Sequence, residues 1–176
     1  MKNESNETTR FSEICDWVEN IVLAVVVVVL AFTFLGRTSI VNGSSMVPTL
    51  SGGDLLLVTR LGNEAKAGNI VVVTKPYSGG EPIIKRVIAT EGQLVDINFD
   101  LGVVFVNGEM IDEPYVAGPT NRYFDMEFPQ TVPEGCVFCL GDNRNNSYDS
   151  RAEEIGMIDT RYILGRVVCR LLRGKS

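Results

Sequence analysis

Two adjacent serines and one lysine are the side chains of this chain best suited to covalent chemistry. Ser44 and Ser45 follow a glycine in the run N-G-S-S-M-V-P-T-L, and Lys85 lies within the apolar run P-I-I-K-R-V-I. Burial disfavours the charged form of a lysine, and the resulting neutral amine can take a proton from a serine hydroxyl. Two simpler interpretations stay open: the serines belong to an ordinary turn, and Lys85 faces solvent while Arg86 points inward.

The composition excludes several other kinds of site. The chain of 176 residues contains no histidine, so neither a Ser-His-Asp triad nor a histidine-ligated metal site is possible. A nucleophilic Ser45 would need a lysine, a carboxylate or the N-terminal amine as its base. The net charge of −6 argues against a nucleic-acid-binding protein, which normally presents a basic face.

A second polar run, G-D-N-R-N-N-S-Y-D-S-R over residues 141–151, directly follows a predicted buried strand. Within it, Asp149 and Arg151 could form an ion pair, and Ser147 could donate a hydrogen bond to a nearby amine. The alternative is a solvated turn, because Asn, Asp and Ser are common turn residues. So long a polar run in this order is unusual for a generic turn.

The cysteines do not suggest a metal or redox site. Cys136 and Cys139 have the spacing of a redox or zinc motif, but no second C-x-x-C accompanies them. They lie in the run G-C-V-F-C-L-G, which is typical of a buried strand, where positions three apart point to opposite faces. We therefore predict that both are small core residues, and that Cys15, which precedes the long apolar segment, is a reduced thiol.

The N-terminal region is predicted to be a membrane anchor, residues 18–36, after a polar segment, residues 1–17. No charge falls between Glu19 and Arg37, and a helix over this stretch spans roughly 25 Å, the short end for a bilayer crossing. A buried core helix and a cleaved secretory signal are the alternatives. The acidic start and the exit G-R-T-S-I do not fit a cleaved signal.

Beyond the anchor, residues 37–176 are predicted to form one domain of short strands separated by turn residues. The predicted strands are residues 38–42, 54–59, 69–74, 82–90, 94–97, 103–106, 109–111, 136–140 and 162–172. Asn107-Gly108 predicts a tight hairpin turn, and residues 118–130 a loop. The fold class is therefore mainly β, a barrel or a sandwich, after an N-terminal transmembrane helix.

Four segments of the chain resemble, in the same order, the motifs of the type I signal peptidases. These are membrane-bound Ser-Lys proteases that remove signal peptides from exported proteins. The segments are G-S-S-M-V-P-T-L, G-D-L-L-L-V beginning at Gly53, K-R-V at Lys85, and the polar run of residues 141–151. The apolar anchor and V-N-G-E in the hairpin also fit, and the insert before Gly141 is similar to that of the shorter, Gram-positive-type members.

The resemblance implies a role for each matching residue. Ser45, the second serine of the first motif, would be the nucleophile, and Lys85 would be the general base. Ser147 would orient the lysine, while Asp149 and Arg151 would form a structural ion pair.

Two positions depart from the family's pattern. Gly43 stands where many relatives carry a serine whose hydroxyl helps to form the oxyanion hole. The hole would then depend on backbone N–H groups, chiefly that of Ser45. Asn145 replaces an aspartate that is common in the last motif, and its neighbours match.

The implied activity is hydrolysis of one peptide bond in preproteins at the outer surface of the cell membrane. The substrate would lie extended between the strands before Ser45 and Lys85, adding itself to the sheet, with Met46, Leu50 and Ile84 helping to form shallow apolar pockets. The expected partners are signal-peptide-bearing preproteins and the lipid bilayer, with no nucleic acid, metal or cofactor. The N-terminus would be cytoplasmic and residues 37–176 extracytoplasmic.

Two other functions stay open. A LexA-like self-cleaving Ser-Lys peptidase shares the chemistry, but the apolar anchor and the missing DNA-binding module count against it. A non-catalytic, membrane-tethered β binding module is disfavoured because both Ser45 and Lys85 stand in their motifs.

Overall fold

The computed structural model describes residues 16–29, 36–60, 65–74 and 81–174. The chain divides into two compact units, Met1–Arg37 and Thr38–Ser176. In the first unit residues 16–29 are helical, and apolar side chains such as Leu23 and Val27 are more than half exposed. None of the helices in the described ranges combines the length and the apolar character that a bilayer crossing needs. Residues 30–35 of the predicted anchor lie outside the described residues, and so does Cys15.

The described residues between 37 and 174 are mainly β, as predicted, and their strands are arranged in two sheets. The strands are β1 (Arg37–Ile40), β2 (Leu55–Thr59), β3 (Ile70–Val73), β4 (Ile83–Thr90), β5 (Leu94–Asn98), β6 (Val103–Val106), β7 (Glu109–Met110), β8 (Gln130–Thr131), β9 (Cys136–Leu140), β10 (Ile158–Asp159) and β11 (Ile163–Leu172). Short 3-10 turns cover Arg144–Asn146 and Thr160–Tyr162.

The larger sheet has the strand order β1-β2-β11-β3-β4-β9-β10, and the smaller one β7-β6-β5-β8. β4 pairs antiparallel with β3 on one side and with β9 on the other, so that Lys85 lies opposite Val71 and Arg86 opposite Leu140. β4 is therefore an interior strand of the sheet, not the edge strand that a solvent-facing Lys85 would suggest.

β4 is buried on both faces, which is why its sequence does not alternate between apolar and polar residues. The residues from Ile84 to Ala89 are all buried. Val87 packs into one hydrophobic cluster, Ile88 and Ala89 into a second, and Ile84 into a third. Because neither face is open to water, the choice between a buried Lys85 and a buried Arg86 does not arise: both side chains are buried.

A tight turn at Asn107-Gly108 joins two strands of the smaller sheet, β6 and β7. Asn107 and Gly108 both have positive φ, 54° and 81°, the conformation that a two-residue hairpin turn requires. β6 also pairs antiparallel with β5, from Val95–Val106 to Asn98–Val103.

The two closely spaced cysteines lie on opposite faces of β9, as predicted. Cys139 is buried in the cluster that contains Val87, whereas Cys136 packs against the cluster that contains Phe138. Burial, followed by the nearby Asp149 carboxylate, raises the pKa of the Cys139 thiol, so this residue stays neutral in the core.

Candidate active site

The fold brings Ser45 and Lys85 into direct contact, although 40 positions separate them in the chain. Ser45 lies in the turn that follows β1, and Lys85 lies on β4 in the same sheet. The Nζ–Oγ distance is 2.9 Å, within hydrogen-bonding range. Lys85 is only 4% exposed. The arrangement is that of a hydroxyl next to a desolvated amine.

Burial lowers the pKa of the Lys85 amine below its ordinary value of 10.5. The charges around it oppose one another, because the Asp149 carboxylate raises the pKa of Lys85 and the Arg151 guanidinium lowers it. Desolvation is the largest of these effects and favours the neutral amine. A neutral amine in contact with a hydroxyl can accept its proton.

The turn that carries Ser45 is held by backbone hydrogen bonds and by its own apolar side chains. Val41 N donates to Asp54 O at 2.9 Å, and Gly53 N donates to Val41 O at the same distance. Met46 and Leu50 are buried in one cluster with Ile84. The three side chains proposed for the substrate pocket therefore lie together, and their role in substrate binding stays a prediction.

Residues 141–151 wrap around the serine turn rather than forming a solvated turn. Asn143 N donates to the Ser45 carbonyl at 2.9 Å, and its side-chain amide donates to the Ser44 carbonyl at 3.1 Å. Asn146 Nδ2 donates to Ser44 Oγ at 2.9 Å. These contacts fix the backbone on both sides of the nucleophile candidate and engage the hydroxyl of Ser44 elsewhere.

Gly141 explains how closely this segment approaches the serines. A Cβ at this position would overlap Ser147 Oγ and would lie 2.5 Å from Ser45 O. Ser147 is buried, and its Oγ has no hydrogen-bond partner within the described part of the chain. The predicted role of Ser147 in orienting Lys85 stays a prediction.

Asp149 and Arg151 form a fully buried ion pair, with Nε 2.8 Å from Oδ1 and Nη2 3.0 Å from Oδ2. Asp149 Oδ2 also accepts a hydrogen bond from Gly141 N at 3.0 Å. The guanidinium of Arg151 donates further to the carbonyls of Arg122, Arg144 and Ser147. The pair therefore braces the backbone of the polar segment.

Two further ion pairs at the site did not emerge from the sequence. Arg86 pairs with Asp142, and Arg144 pairs with Glu113. The motifs K-R-V and G-D-N-R contain three of these residues, so their proximity could have been suspected. Glu113 lies outside every motif, and no local pattern marks it.

With this geometry in place, comparison with known proteins gives the family. A family model described as "Signal peptidase, peptidase S26" matches residues 14–172. The chain belongs to this family. Its members are serine endopeptidases, and so is this chain; the mainly β architecture is the signal peptidase fold.

Relatives match over most of their length. Signal peptidase I from Bacillus amyloliquefaciens is 33% identical, covering 94% of this chain and 91% of the relative. Probable signal peptidase I-1 from Synechocystis is 36% identical, covering 86% and 81%. A solved signal peptidase I from Enterococcus faecalis V583 is 28% identical, with a TM-score of 0.47 and coverage of 57% of this chain and 94% of that chain.

Proposed function

We propose that this S26 peptidase removes N-terminal signal peptides from exported preproteins, with Ser45 as nucleophile and Lys85 as general base. The observation that carries the proposal is the 2.9 Å contact between Lys85 Nζ and Ser45 Oγ, in a place where burial lowers the pKa of the amine. The names of the relatives, signal peptidase I, support the choice of substrate.

The proposed reaction proceeds through an acyl-enzyme. The neutral Lys85 amine accepts the hydroxyl proton as Ser45 Oγ bonds to the scissile carbonyl carbon. The resulting ammonium gives that proton to the leaving amine as the peptide C–N bond breaks. Lys85, neutral again, then takes a proton from a water that attacks the acyl carbon, and Ser45 leaves with its proton restored.

The oxyanion is proposed to bind to backbone N–H groups, chiefly that of Ser45. Gly43 supplies no side-chain donor, and its φ of +85° is a conformation that favours glycine. The hydrogen bond from the Asn143 side-chain amide to the Ser44 carbonyl, at 3.1 Å, holds the peptide unit that carries the Ser45 N–H. A donor fixed in this way needs no reorganisation during the reaction.

The substrate is proposed to bind as an extended strand. β1 lies at one end of the larger sheet, so one of its edges can accept an added strand. Met46, Leu50 and Ile84 contribute to one buried cluster next to the serine turn, and we propose that they form the floor of shallow pockets for small side chains.

We further propose that residues 18–36 anchor the chain in the membrane, with residues 1–17 cytoplasmic and residues 37–176 extracytoplasmic. The support is the absence of charge between Glu19 and Arg37 and the exposed apolar side chains of residues 16–29, which would be unfavourable in water. Protease added to intact cells should digest the region after Arg37. Full protection of that region, with a known outer-face protein digested, would contradict this topology.

The test of function is cleavage of a model preprotein by the purified full-length chain. Wild type and Ser44→Ala should both release the mature protein, and Ser45→Ala should not, because only Ser45 contacts the amine. Self-cleavage with no preprotein processing would favour the LexA-like alternative. Binding without any cleavage would favour the non-catalytic module, and activity that survives in Ser45→Ala but not in Ser44→Ala would refute the assignment of the nucleophile.

A further inference from the structure

Five side chains, three of them in the motifs, are linked one to the next by polar and cation–π contacts. Arg86 makes a bidentate ion pair with Asp142, at 2.8 and 2.7 Å. Arg144 pairs with both carboxylate oxygens of Glu113. The Tyr115 hydroxyl donates to Glu113 at 3.0 Å, and its ring centre lies 3.9 Å from the Arg86 guanidinium carbon. We call these five residues the Glu113 network.

The Glu113 network meets the candidate site at two points. Arg86 directly follows Lys85 on β4. On the other side, Arg144 Nε donates to the Gly141 carbonyl at 2.9 Å. Gly141 is packed so closely against Ser147 and the Ser45 carbonyl that not even a methyl group would fit. A displacement of Gly141 would therefore also displace Ser147 and Ser45.

We propose that Glu113 is a positioning residue for the Ser45–Lys85 pair, acting through Arg144 and Gly141. The inference rests on the proposed function of that pair. Glu113 lies between β7 and β8, outside the four motifs, and its side chain is 10% exposed. Its carboxylate neutralises Arg144, whose side chain is wholly buried, and so keeps the guanidinium where it reaches Gly141.

Tyr115 supports the carboxylate in this role. Burial, reinforced by the Glu113 carboxylate, raises the pKa of Tyr115, so its hydroxyl remains a donor across the working pH range. The same ring covers the Arg86 guanidinium. The segment of Glu113 and Tyr115 thus contacts both arginines of the network at once.

The effect of Glu113 on the reaction is through position rather than direct charge. Glu113 contacts Arg144 and Tyr115, not Lys85. The charged or titratable groups that act on the pKa of Lys85 are Asp149, Cys139, Arg151 and Asp142. Loss of the Glu113 charge should therefore change the pH dependence indirectly, by loosening the packing of Gly141, Ser45 and Ser147 around Lys85 and admitting water.

The first test is Glu113→Gln, which keeps the size of the side chain and removes its charge. In the full chain acting on a model preprotein, kcat should fall about 10- to 100-fold, with KM within about twofold of wild type, because the reacting groups are misplaced rather than the substrate released. The acid limb of kcat/KM against pH should move to higher pH, because water reaching Lys85 raises its pKa.

A milder variant keeps the test decisive if Glu113→Gln does not fold. Tyr115→Phe removes only the hydroxyl that donates to Glu113 and should lower kcat about threefold, with a smaller shift of the acid limb in the same direction. The control is Asp159→Asn, which removes the carboxylate of an ion pair whose arginine, Arg161, is 85% exposed; its kcat and pH profile should match wild type.

The proposal is overturned if the folded variants lose thermal stability but keep the kcat and pH profile of wild type. Failure of the Glu113 proposal differs from failure of the proposed peptidase function, because in the second case the wild type itself would not cleave the preprotein. In that case the Lys85 amine can be titrated by NMR in wild type and Tyr115→Phe. An unchanged pKa of Lys85 would overturn the role of Glu113, and a raised one would support it.

Discussion

Lys85 and Arg151 are both buried basic side chains of the same site, and their surroundings treat a positive charge in opposite ways. Arg151 is enclosed by the Asp149 carboxylate and by three backbone carbonyls, which together satisfy its guanidinium. Lys85 lies on an apolar strand, and its amine donates to the neutral hydroxyl of Ser45. The positive charge of Arg151 is matched by a fixed negative charge, whereas a positive charge on Lys85 is disfavoured by burial.

This contrast shows how a site without histidine can obtain a base. Desolvation is the largest influence on the pKa of Lys85 and lowers it, while Asp149 acts in the opposite sense. Asp149 is paired with Arg151, whose charge lowers the pKa of Lys85 and so offsets part of the effect of Asp149. The buried ion pair therefore has a chemical consequence besides bracing the backbone: its guanidinium opposes the carboxylate that favours the protonated amine, and burial then favours the neutral one.

The largest expected effect on cleavage comes from replacing Lys85 by arginine, the residue type of its buried neighbour Arg151. Lys85→Arg places a guanidinium, which does not release its proton in this range, where the base is needed. Cleavage of a model preprotein should fall by about 10²- to 10⁴-fold, the usual contribution of a general base. Lys66→Arg, at an exposed position, is the matched control and should retain activity. An active Lys85→Arg enzyme would show that the reaction does not need a neutral amine at position 85.

The next effect tests the contact between the polar segment and the serines. In Gly141→Ala the added methyl group overlaps Ser147 Oγ and approaches the Ser45 carbonyl, so kcat should fall about 100-fold. Gly118→Ala is the control, because a Cβ there meets nothing within 4 Å. Equal activity of the two variants, measured on folded protein, would mean that the packing at Gly141 does not position the nucleophile.

The ion pair itself can be separated into two opposite effects. Arg151→Met removes a charge that lowers the pKa of Lys85, so the acid limb of kcat/KM should move to higher pH. Asp149→Asn removes a charge that raises the same pKa, so the limb should move to lower pH. Both variants should be destabilised, by roughly 3–5 kcal/mol, because each leaves a buried charge unpaired. Shifts in the same direction would contradict this electrostatic account.

A smaller effect is expected at Asp54, a buried carboxylate that pairs with Arg170. Hydrogen bonds from Ser51 N and Gly174 N, together with Arg170, lower its pKa to about 2 against the cost of burial. Since the folded-state pKa lies below the ordinary value of 3.8, the stabilisation is present above that value and is lost as the pH falls towards about 2.

Urea unfolding of Asp54→Asn near neutral pH should therefore show a loss of roughly 1–3 kcal/mol, with preprotein cleavage little changed. Towards about pH 2 the gap between wild type and variant should narrow, because the wild-type carboxyl is then becoming protonated as well. The exposed Asp112→Asn serves as control. A gap that stays constant across this pH range would show that ionisation of Asp54 does not contribute to stability.

Much of the fold and the reacting pair could be predicted from local pattern. The strand over Cys136–Leu140 and the turn at Asn107-Gly108 follow from short-range chemistry, and both agree with the structure. Two-residue strands such as β8 and β10 are too short to show a periodicity. β8 begins at the end of the predicted loop of residues 118–130, and Tyr162, predicted to begin the last strand, belongs to a 3-10 turn.

What the sequence could not predict depends on contacts between distant segments. Glu113 and Arg144 are 31 positions apart, and nothing near Glu113 marks it as the partner of a buried arginine. The apparent choice between Lys85 and Arg86 assumed a strand with one solvent face. The structure shows instead that side chains pack against both faces of β4, so that both Lys85 and Arg86 are buried.

The central claim is that Lys85 works as a neutral amine, and the pH dependence of kcat/KM for a preprotein tests it most directly. We predict that wild-type activity rises along a single ionisation well below 10.5, the ordinary lysine value, and then stays high into mildly alkaline conditions. A profile that is still climbing as the pH passes that ordinary value would contradict the account, because it would show a lysine whose pKa the site has not lowered.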